Sequence, residues 1–270
     1  DLGVNFSYNR SKILSLSDHK DIFGSTLTCN TVSDQLNLMR EYEEMFVFYG
    51  YKEAGYDNNG NILYQKKDGT TTPNPSASDK FIIGNPNPDF LLNFNTSISW
   101  KGFTLSAVLD GRYGGYMFSR TKNLMQFTGN GIATLYNGRE PFIIPGSVYE
   151  DGTPNTTPIF LNNQSYQNYF NNFGAGEGGE FYLLSRTSAK LRNVSLTWDV
   201  PRKWMNRIKF SGASISVFCN NVFTWTPSDN YYIDPETSSY SSSGDLAAQF
   251  GELYSNPACR VWGFSANIKF

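Results

Sequence analysis

Asp234 and Glu236 flank Pro235, and this pair of carboxylates is the nearest thing in the chain to a reactive constellation. Glycoside hydrolysis needs two carboxylates at defined distances across a bond, whereas a proline-centred loop more simply makes a turn. Calcium would need several more oxygen ligands than these residues supply. The expectation is therefore no enzyme and no cofactor, with calcium the one cation the pair could help to hold. Aromatic side chains in two polar regions are the other chemical resource: Tyr166, Tyr169 and Phe170 in one, Tyr231, Tyr232 and Tyr240 in the other. Their rings could stack on sugars while Asn162, Asn163 and Gln164 bond hydroxyl or peptide groups; equally, they could pack the loops together or meet a partner protein. The lone histidine, His19, sits in a polar stretch and reads as solvated. Cys29, Cys219 and Cys259 are odd in number and lack metal-type spacing, so thiols are expected, with a Cys219–Cys259 bridge as the alternative. The run Phe170-Asn-Asn-Phe-Gly-Ala-Gly-Glu-Gly-Gly-Glu180 lacks the Lys-Ser/Thr ending of a phosphate loop.

What must position these residues is a set of alternating segments. At the C-terminus Arg260, Trp262, Phe264, Ala266, Ile268 and Phe270 fall on one face and Val261, Gly263, Ser265, Asn267 and Lys269 on the other. A period of two with one apolar and one polar face suits a strand between lipid and a wet interior. A last strand closing on an aromatic residue resembles that of bacterial outer-membrane β-barrels, and Phe264, Ile268 and Phe270 are the residues of such an assembly signal. Five further segments alternate similarly. Leu2, Val4, Phe6 and Tyr8 oppose Gly3, Asn5, Ser7 and Asn9. Phe90, Leu92, Phe94, Ile98 and Trp100 oppose Asn93, Asn95, Ser97 and Ser99. Phe103, Leu105, Ala107 and Leu109 oppose Thr104, Ser106, Asp110 and Arg112, with Val108 an exception. Val194, Leu196, Trp198 and Val200 oppose Asn193, Ser195, Thr197 and Asp199. Ala213, Ile215, Val217 and Cys219 oppose Ser214, Ser216 and Asn220, with Phe218 an exception. Asn93, Asn95, Asp110 and Arg112 are expected to face the lumen. Each core is about 9–11 residues, the length a tilted strand needs to cross a bilayer, with aromatic residues near the ends, where interfacial girdles belong.

Composition agrees and excludes other classes. The net charge is −2 and no basic stripe occurs, so nucleic acid is not an expected partner. Mean hydropathy is −0.42, as a barrel allows when every second strand residue avoids lipid. No apolar run is long enough for a transmembrane helix. Connections alternate between long (about 17–89, 114–181 and 226–257) and short (101–102 and 201–209), matching long extracellular loops and short periplasmic turns. The last strand then descends and the first ascends. Six strands cannot close around a lumen, the smallest such barrels having about eight, and a start within a strand suggests a piece of something larger.

Four stretches in order resemble the C-terminal portion of SusC/RagA-type TonB-dependent transporters of the Bacteroidetes outer membrane. They are Asn5-Phe-Ser-Tyr-Asn-Arg-Ser-Lys-Ile13; Ile83-Gly-Asn-Pro-Asn-Pro-Asp-Phe90; Tyr182-Leu-Leu-Ser-Arg-Thr-Ser-Ala-Lys-Leu-Arg-Asn-Val-Ser-Leu-Thr-Trp-Asp-Val-Pro201; and Ser216-Val-Phe-Cys-Asn-Asn-Val-Phe-Thr-Trp225 running to Ile233-Asp-Pro-Glu236. There are departures: Cys219 stands before Asn220 where the family often has glycine, and the glycine usual five residues before the final aromatic is Ser265, with Gly263 two earlier. The resemblance implies an all-β fold, residues 1–270 being about six antiparallel C-terminal strands of a 22-stranded transmembrane barrel whose plug and earlier strands lie elsewhere. It implies active import of oligosaccharides or peptides, a SusD-like surface lipoprotein as lid, and TonB engaging the N-terminal part. A surface-adhesion or structural barrel without energised transport is the alternative.

Overall fold

The computed structural model describes residues 1–17, 21–23, 37–56, 62–143, 146–149, 151–160, 180–228, 230, 233–237, 251–252, 255–256 and 258–270. Sixteen strands are assigned in chain order among them. Six form one sheet: β1 (Leu2–Ser7), β9 (Phe90–Trp100), β10 (Phe103–Tyr113), β13 (Ser188–Asp199), β14 (Gly212–Trp225) and β16 (Val261–Lys269). Their order is β1-β9-β10-β13-β14-β16, and every neighbouring pair is antiparallel. These are the six segments that alternation marks out, in sequence order.

The sheet is dressed inside out relative to a water-soluble one. Large apolar residues on one face lie open, Trp262 at 69% and Phe264 at 67% exposure, while residues of the polar face bond across strands. Thr197 and Ser216 hydroxyls meet at 2.8 Å, and Ser99 and Thr104 at 2.9 Å. Aromatic clusters mark both ends of the apolar face. Phe6, Phe90 and Tyr113 stack at one end (5.7 and 5.1 Å between centroids), and Phe103, Trp198 and Trp204 gather at the other (6.1 and 5.9 Å). No helix of the described residues is long and apolar enough to cross a membrane, which leaves crossing by strands untouched.

Both exceptions to the alternation point to the polar face. Val108 stands opposite Asn95 and Asn193, and Phe218 opposite Gly263. The ring of Phe218 occupies the space beside Gly263: a Cβ there would lie 2.0 Å from Cζ. Between β10 and β13 the register shifts so that Val108 pairs with Asn193 and Leu109 with Leu191, leaving Arg192 as the extra residue of a bulge. The same break appears against β14, whose Asn221 takes a left-handed backbone (φ 53°). A bulge inverts parity along the strand, so Lys190, Arg192 and Asn193 all reach the polar face while Leu191 keeps to the apolar one.

Strand lengths differ from the uniform expectation. β1 spans 6 residues and β14 spans 14, its pairing continuing past the break at Asn221. The short connection after Pro201 carries one helical turn, α2 (Arg202–Met205), and a 3-10 turn. Cys219 and Cys259 are free thiols, so the bridge does not form; Cys219 stands opposite Trp262 instead.

The long connections build a second layer from small sheets. One contains β2 (Asp21–Phe23), β3 (Asn37–Arg40), β4 (Val47–Gly50) and β8 (Phe81–Gly84); another contains β5 (Glu53–Tyr56), β6 (Ile62–Gln65) and β7 (Thr71–Thr72); a third contains β11 (Tyr116–Ser119), β12 (Leu183–Ser185) and β15 (Gly251–Glu252). The helix α1 (Arg120–Phe127) follows β11. This layer holds most of the buried apolar residues among those described, including Leu38, Phe48, Phe118, Tyr182 and Leu184, all fully inaccessible. Glu41, Glu43 and Glu44 lie in the irregular connection between β3 and β4, where Glu44 accepts bonds from Asn85 (2.6 Å) and Asn87 (3.2 Å).

Candidate functional site

The polar face carries a charged cluster at the end of the sheet where the long connections emerge. Asp110 near the top of β10 stands opposite Asn93 of β9 and Lys190 of β13. Asn93 donates to Asp110 Oδ1, and Asn5 and Asn95 each reach Asn93 Oδ1 at 3.4 Å. Arg192, aimed onto this face by the bulge, donates from Nε to Asp110 Oδ2. Its two terminal nitrogens fork around Glu236, Nη1 meeting Oε2 at 2.9 Å and Nη2 meeting Oε1. Lys190 bonds Asp234 Oδ1 and, at 2.9 Å, Glu236 Oε2. Arg186 donates from Nε to Pro235 O at 2.9 Å. The Asp234-Pro235-Glu236 segment of the last long connection is thus held on the wall through both side chains and its backbone.

Two bonds donated by backbone N–H groups shape the segment as a turn: Thr237 N–H to the backbone Asp234 O (3.0 Å) and Glu236 N–H to the side-chain Asp234 Oδ1 (3.0 Å). The two acids differ in setting. The side chain of Asp234 is 10% exposed and that of Glu236 is 39% exposed. Burial alone would raise the Glu236 carboxyl, but hydrogen bonds from Arg192 and Lys190 together with their charges hold it below the usual carboxylate range. For Arg186, burial is the larger influence and lowers the guanidinium, opposed by the charge of Glu236. Beside the cluster lies a cavity of about 340 Å³ lined by Asn5, Asn93, Asp110, Arg112, Lys190, Arg192 and Glu236, among others.

Arg112 faces the same side and donates from Nη2 to Pro86 O at 3.0 Å, while its Nε is buried without a hydrogen-bond partner. The Ile83–Phe90 motif earns its residues here. Asn85 O accepts from Tyr116 N (2.8 Å), and Pro86 lies so close to Gly115 that a Cβ there would sit 2.8 Å from its carbonyl oxygen, on a backbone with φ 81°. Only glycine suits that position.

Asn93, Asp110 and Arg112 therefore share one face with Asn95 and line or border one site with Asp234 and Glu236. Phe264, Ile268 and Phe270 lie on or just beyond β16, with Phe270 packed edge-on against Phe210 at 5.2 Å. Tyr166, Tyr169, Tyr231, Tyr232 and Tyr240 lie outside the described residues, as do His19, Cys29, Phe170, Asn162, Asn163 and Gln164. Among the described residues no group of three or more His, Cys, Asp or Glu side chains could hold a metal ion. Pattern reading missed Lys190, Arg192 and Arg186 as site residues. The available signal was the adjacent polar pair Arg192-Asn193, which breaks the alternation as a bulge does.

A second charged group lies within the loop layer. Glu53 accepts from the Phe181 N–H, while Lys122 Nζ donates to Phe181 O at 2.6 Å. Burial first, and the charge of Glu180 second, push the Glu53 carboxyl up to about 7, against the lowering by the Phe181 bond and Lys122.

An antiparallel sheet with an apolar outer face, girdles at both ends, long connections on one rim and short ones on the other is a section of transmembrane β-barrel wall. The chain is similar in sequence to part of a TonB-dependent receptor and shares the fold of part of the RagAB transporter. It is 24% identical over 288 aligned positions to TonB-dependent receptor P3 of Formosa agariphila, covering 98% of this chain and 26% of that receptor. The RagAB peptide transporter has the same fold over 100% of this chain and 26% of its own, with a TM-score of 0.69 at 17% identity. The RagAB peptide importer in the closed-closed state gives 0.65 at 21% identity, covering 100% of this chain and 27% of that one. The chain thus spans about a quarter of the length of these relatives. No protein-family model matches it. Receptors and transporters of this kind are not enzymes.

Proposed function

We propose that residues 1–270 are the C-terminal wall of an outer-membrane TonB-dependent importer that takes up oligosaccharides or peptides with a SusD-like surface lipoprotein as lid. TonB, engaging an N-terminal part of the same protein, would supply the energy, and no cofactor is required. The observation that carries this reading is the pairing of an inside-out six-stranded sheet with a similarity to a TonB-dependent receptor that runs through 98% of the chain. The orientation follows from the connections: the rim with the long loops and the charged cluster faces outward, and Phe270 lies at the periplasmic side. Peptide cargo is what the RagAB neighbours' names state of themselves, and it enters here as one of two substrate classes.

The test is uptake by cells expressing the full-length protein. Accumulation of labelled peptides or oligosaccharides should require this protein, stop when TonB is deleted or the proton gradient collapsed, and be accompanied by a lipoprotein that co-purifies. Surface adhesion that persists without TonB, with no uptake of either class, would replace this reading with that of an adhesion barrel.

A further inference from the structure

The two acids held on the wall are not equivalent, and the difference suggests what the cluster is for. Asp234, its side chain 10% exposed, is bonded by Lys190 and shapes its own turn, accepting from Glu236 N–H at 3.0 Å. With Arg186 on Pro235 O, it anchors the segment. Glu236 sits at the cavity, more exposed, and its carboxylate is taken by the Arg192 fork and by Lys190 in the planar two-point manner of ligand carboxylates. Removing the Glu236 side chain from that position would leave the anchor in place. In this cluster four cations (Arg112, Arg186, Lys190, Arg192) stand with three carboxylates (Asp110, Asp234, Glu236), so departure of Glu236 leaves an excess of two positive charges beside the cavity. Arg112, on the cavity wall, has an unused buried Nε as well.

We propose that Arg112, Lys190 and Arg192 form a carboxylate-binding station whose resident occupant is the chain's own Glu236, and that a carboxylate of the imported ligand exchanges with Glu236 there. The inference rests on the importer reading and narrows its cargo to molecules with a free carboxylate. A peptide C-terminus and the uronate of an acidic oligosaccharide present the same group.

The test uses the purified full-length receptor, with any lipoprotein that accompanies it, and four fluorescent probes. These are hexa-alanine with a free C-terminus, the same peptide amidated, a glucuronate trisaccharide and its methyl ester. Free acid is expected to bind about tenfold more tightly than its capped form, as loss of a charge-assisted bidentate contact implies. Preference within the peptide pair identifies a peptide source, and within the sugar pair an acidic glycan. Glu236→Gln should tighten acid binding several-fold while leaving the capped probes unchanged, and Arg112→Gln should erase the acid preference. Where Arg112→Gln fails to assemble, Glu236→Gln alone decides. Equal binding of acid and capped probes, no binding of any probe, or a Glu236→Gln receptor with unaltered acid affinity overturns the station. If TonB-dependent uptake of some cargo persists in that case, the importer reading survives; if uptake is absent altogether, that reading fails instead.

Discussion

The wall and the loop layer solve the burial problem in opposite ways. In the wall, Trp262 and Phe264 stand more than two-thirds open and the polar residues bond to one another across strands. In the loop layer, Phe48, Phe118, Tyr182 and Leu184 are sealed from solvent, and the fully buried Glu252 is bonded by the hydroxyls of Ser119 and Thr121. The same chain thus follows two solvents. The wall depends on a surrounding lipid phase to satisfy its apolar face, whereas the loop layer brings its own core and can hold shape in water. The difference predicts that the two regions fail separately. Phe118 of β11 packs edge-on against Tyr182 at 6.3 Å and pairs with Leu183 and Gly251. Phe118→Ala should cost the loop layer ~3–5 kcal/mol. Hydrogen exchange on the full-length receptor would show β11, β12 and β15 losing protection while β9, β10 and β14 keep theirs. Loss of protection in the wall as well would erase the distinction between the two regions.

The reciprocal experiment strikes the wall. Val217, 50% exposed, lies mid-strand on the apolar face, opposite Leu196 and Phe264. Val217→Arg should destabilise the inserted barrel by ~2–4 kcal/mol, the depth-dependent cost of a charge facing lipid. Ser216, its neighbour in sequence, bonds Thr197 on the polar face, and Ser216→Arg should cost far less. Denaturant unfolding of the receptor in lipid vesicles compares the two. Similar costs at both positions would mean that this sheet does not separate lipid from a wet interior.

Acidity should act on the loop layer through Glu53 and on the charged site at the wall through Glu236, in opposite directions. Glu53 has its carboxyl raised to about 7 from an ordinary value of 4.5. The folded layer therefore holds a proton that the unfolded chain has released between these values, so its contribution is full below about 4.5 and is lost as pH rises through about 7. A shift of this size corresponds to about 3 kcal/mol. Protease sensitivity of the loop layer should rise from pH 5 to pH 8, and Glu53→Gln should flatten that dependence. Sensitivity that falls over this range would contradict the burial of Glu53 as the dominant influence. Glu236 runs the other way: its depressed carboxyl stabilises the turn above the ordinary carboxylate range and loses that effect as pH falls.

How much could be read in advance differs between the regions for the same reason. Lipid on one side and water on the other impose a period of two, so β9 and β16 are legible residue by residue, and β10 and β14 are legible but for Val108 and Phe218. Legibility stops at Arg192, where one extra residue inverts the parity and sends two consecutive polar side chains to one face. The loop layer gave no comparable signal, because β4, β7 and β12 are only 4, 2 and 3 residues long and too short for a period to show. The site was half visible. Asp234 and Glu236 stand out as a local pair, but their cations, Lys190 and Arg192, lie 44 or more residues away, and Asp110 lies 82 residues from Arg192. Only the fold brings those together.

The smallest expected effect lies inside the wall and tests whether its irregular residues are placed by packing. Phe218 breaks its strand's alternation, and Gly263 leaves the polar face of β16 without a side chain; the register sets them opposite each other. The ring covers the glycine, so the two irregularities compensate. Gly263→Ala would put a methyl 2.0 Å from the ring's Cζ and force Phe218 to turn away. The expected cost is ~1–3 kcal/mol, typical of overpacking that side-chain movement only partly relieves. Phe218→Ala removes the obstruction, and Gly263→Ala made in that background should then cost much less, leaving a coupling of ~1 kcal/mol or more between the two positions. Strictly additive losses in the double variant would mean that the ring and the glycine are independent, and that the exception at Phe218 has another cause.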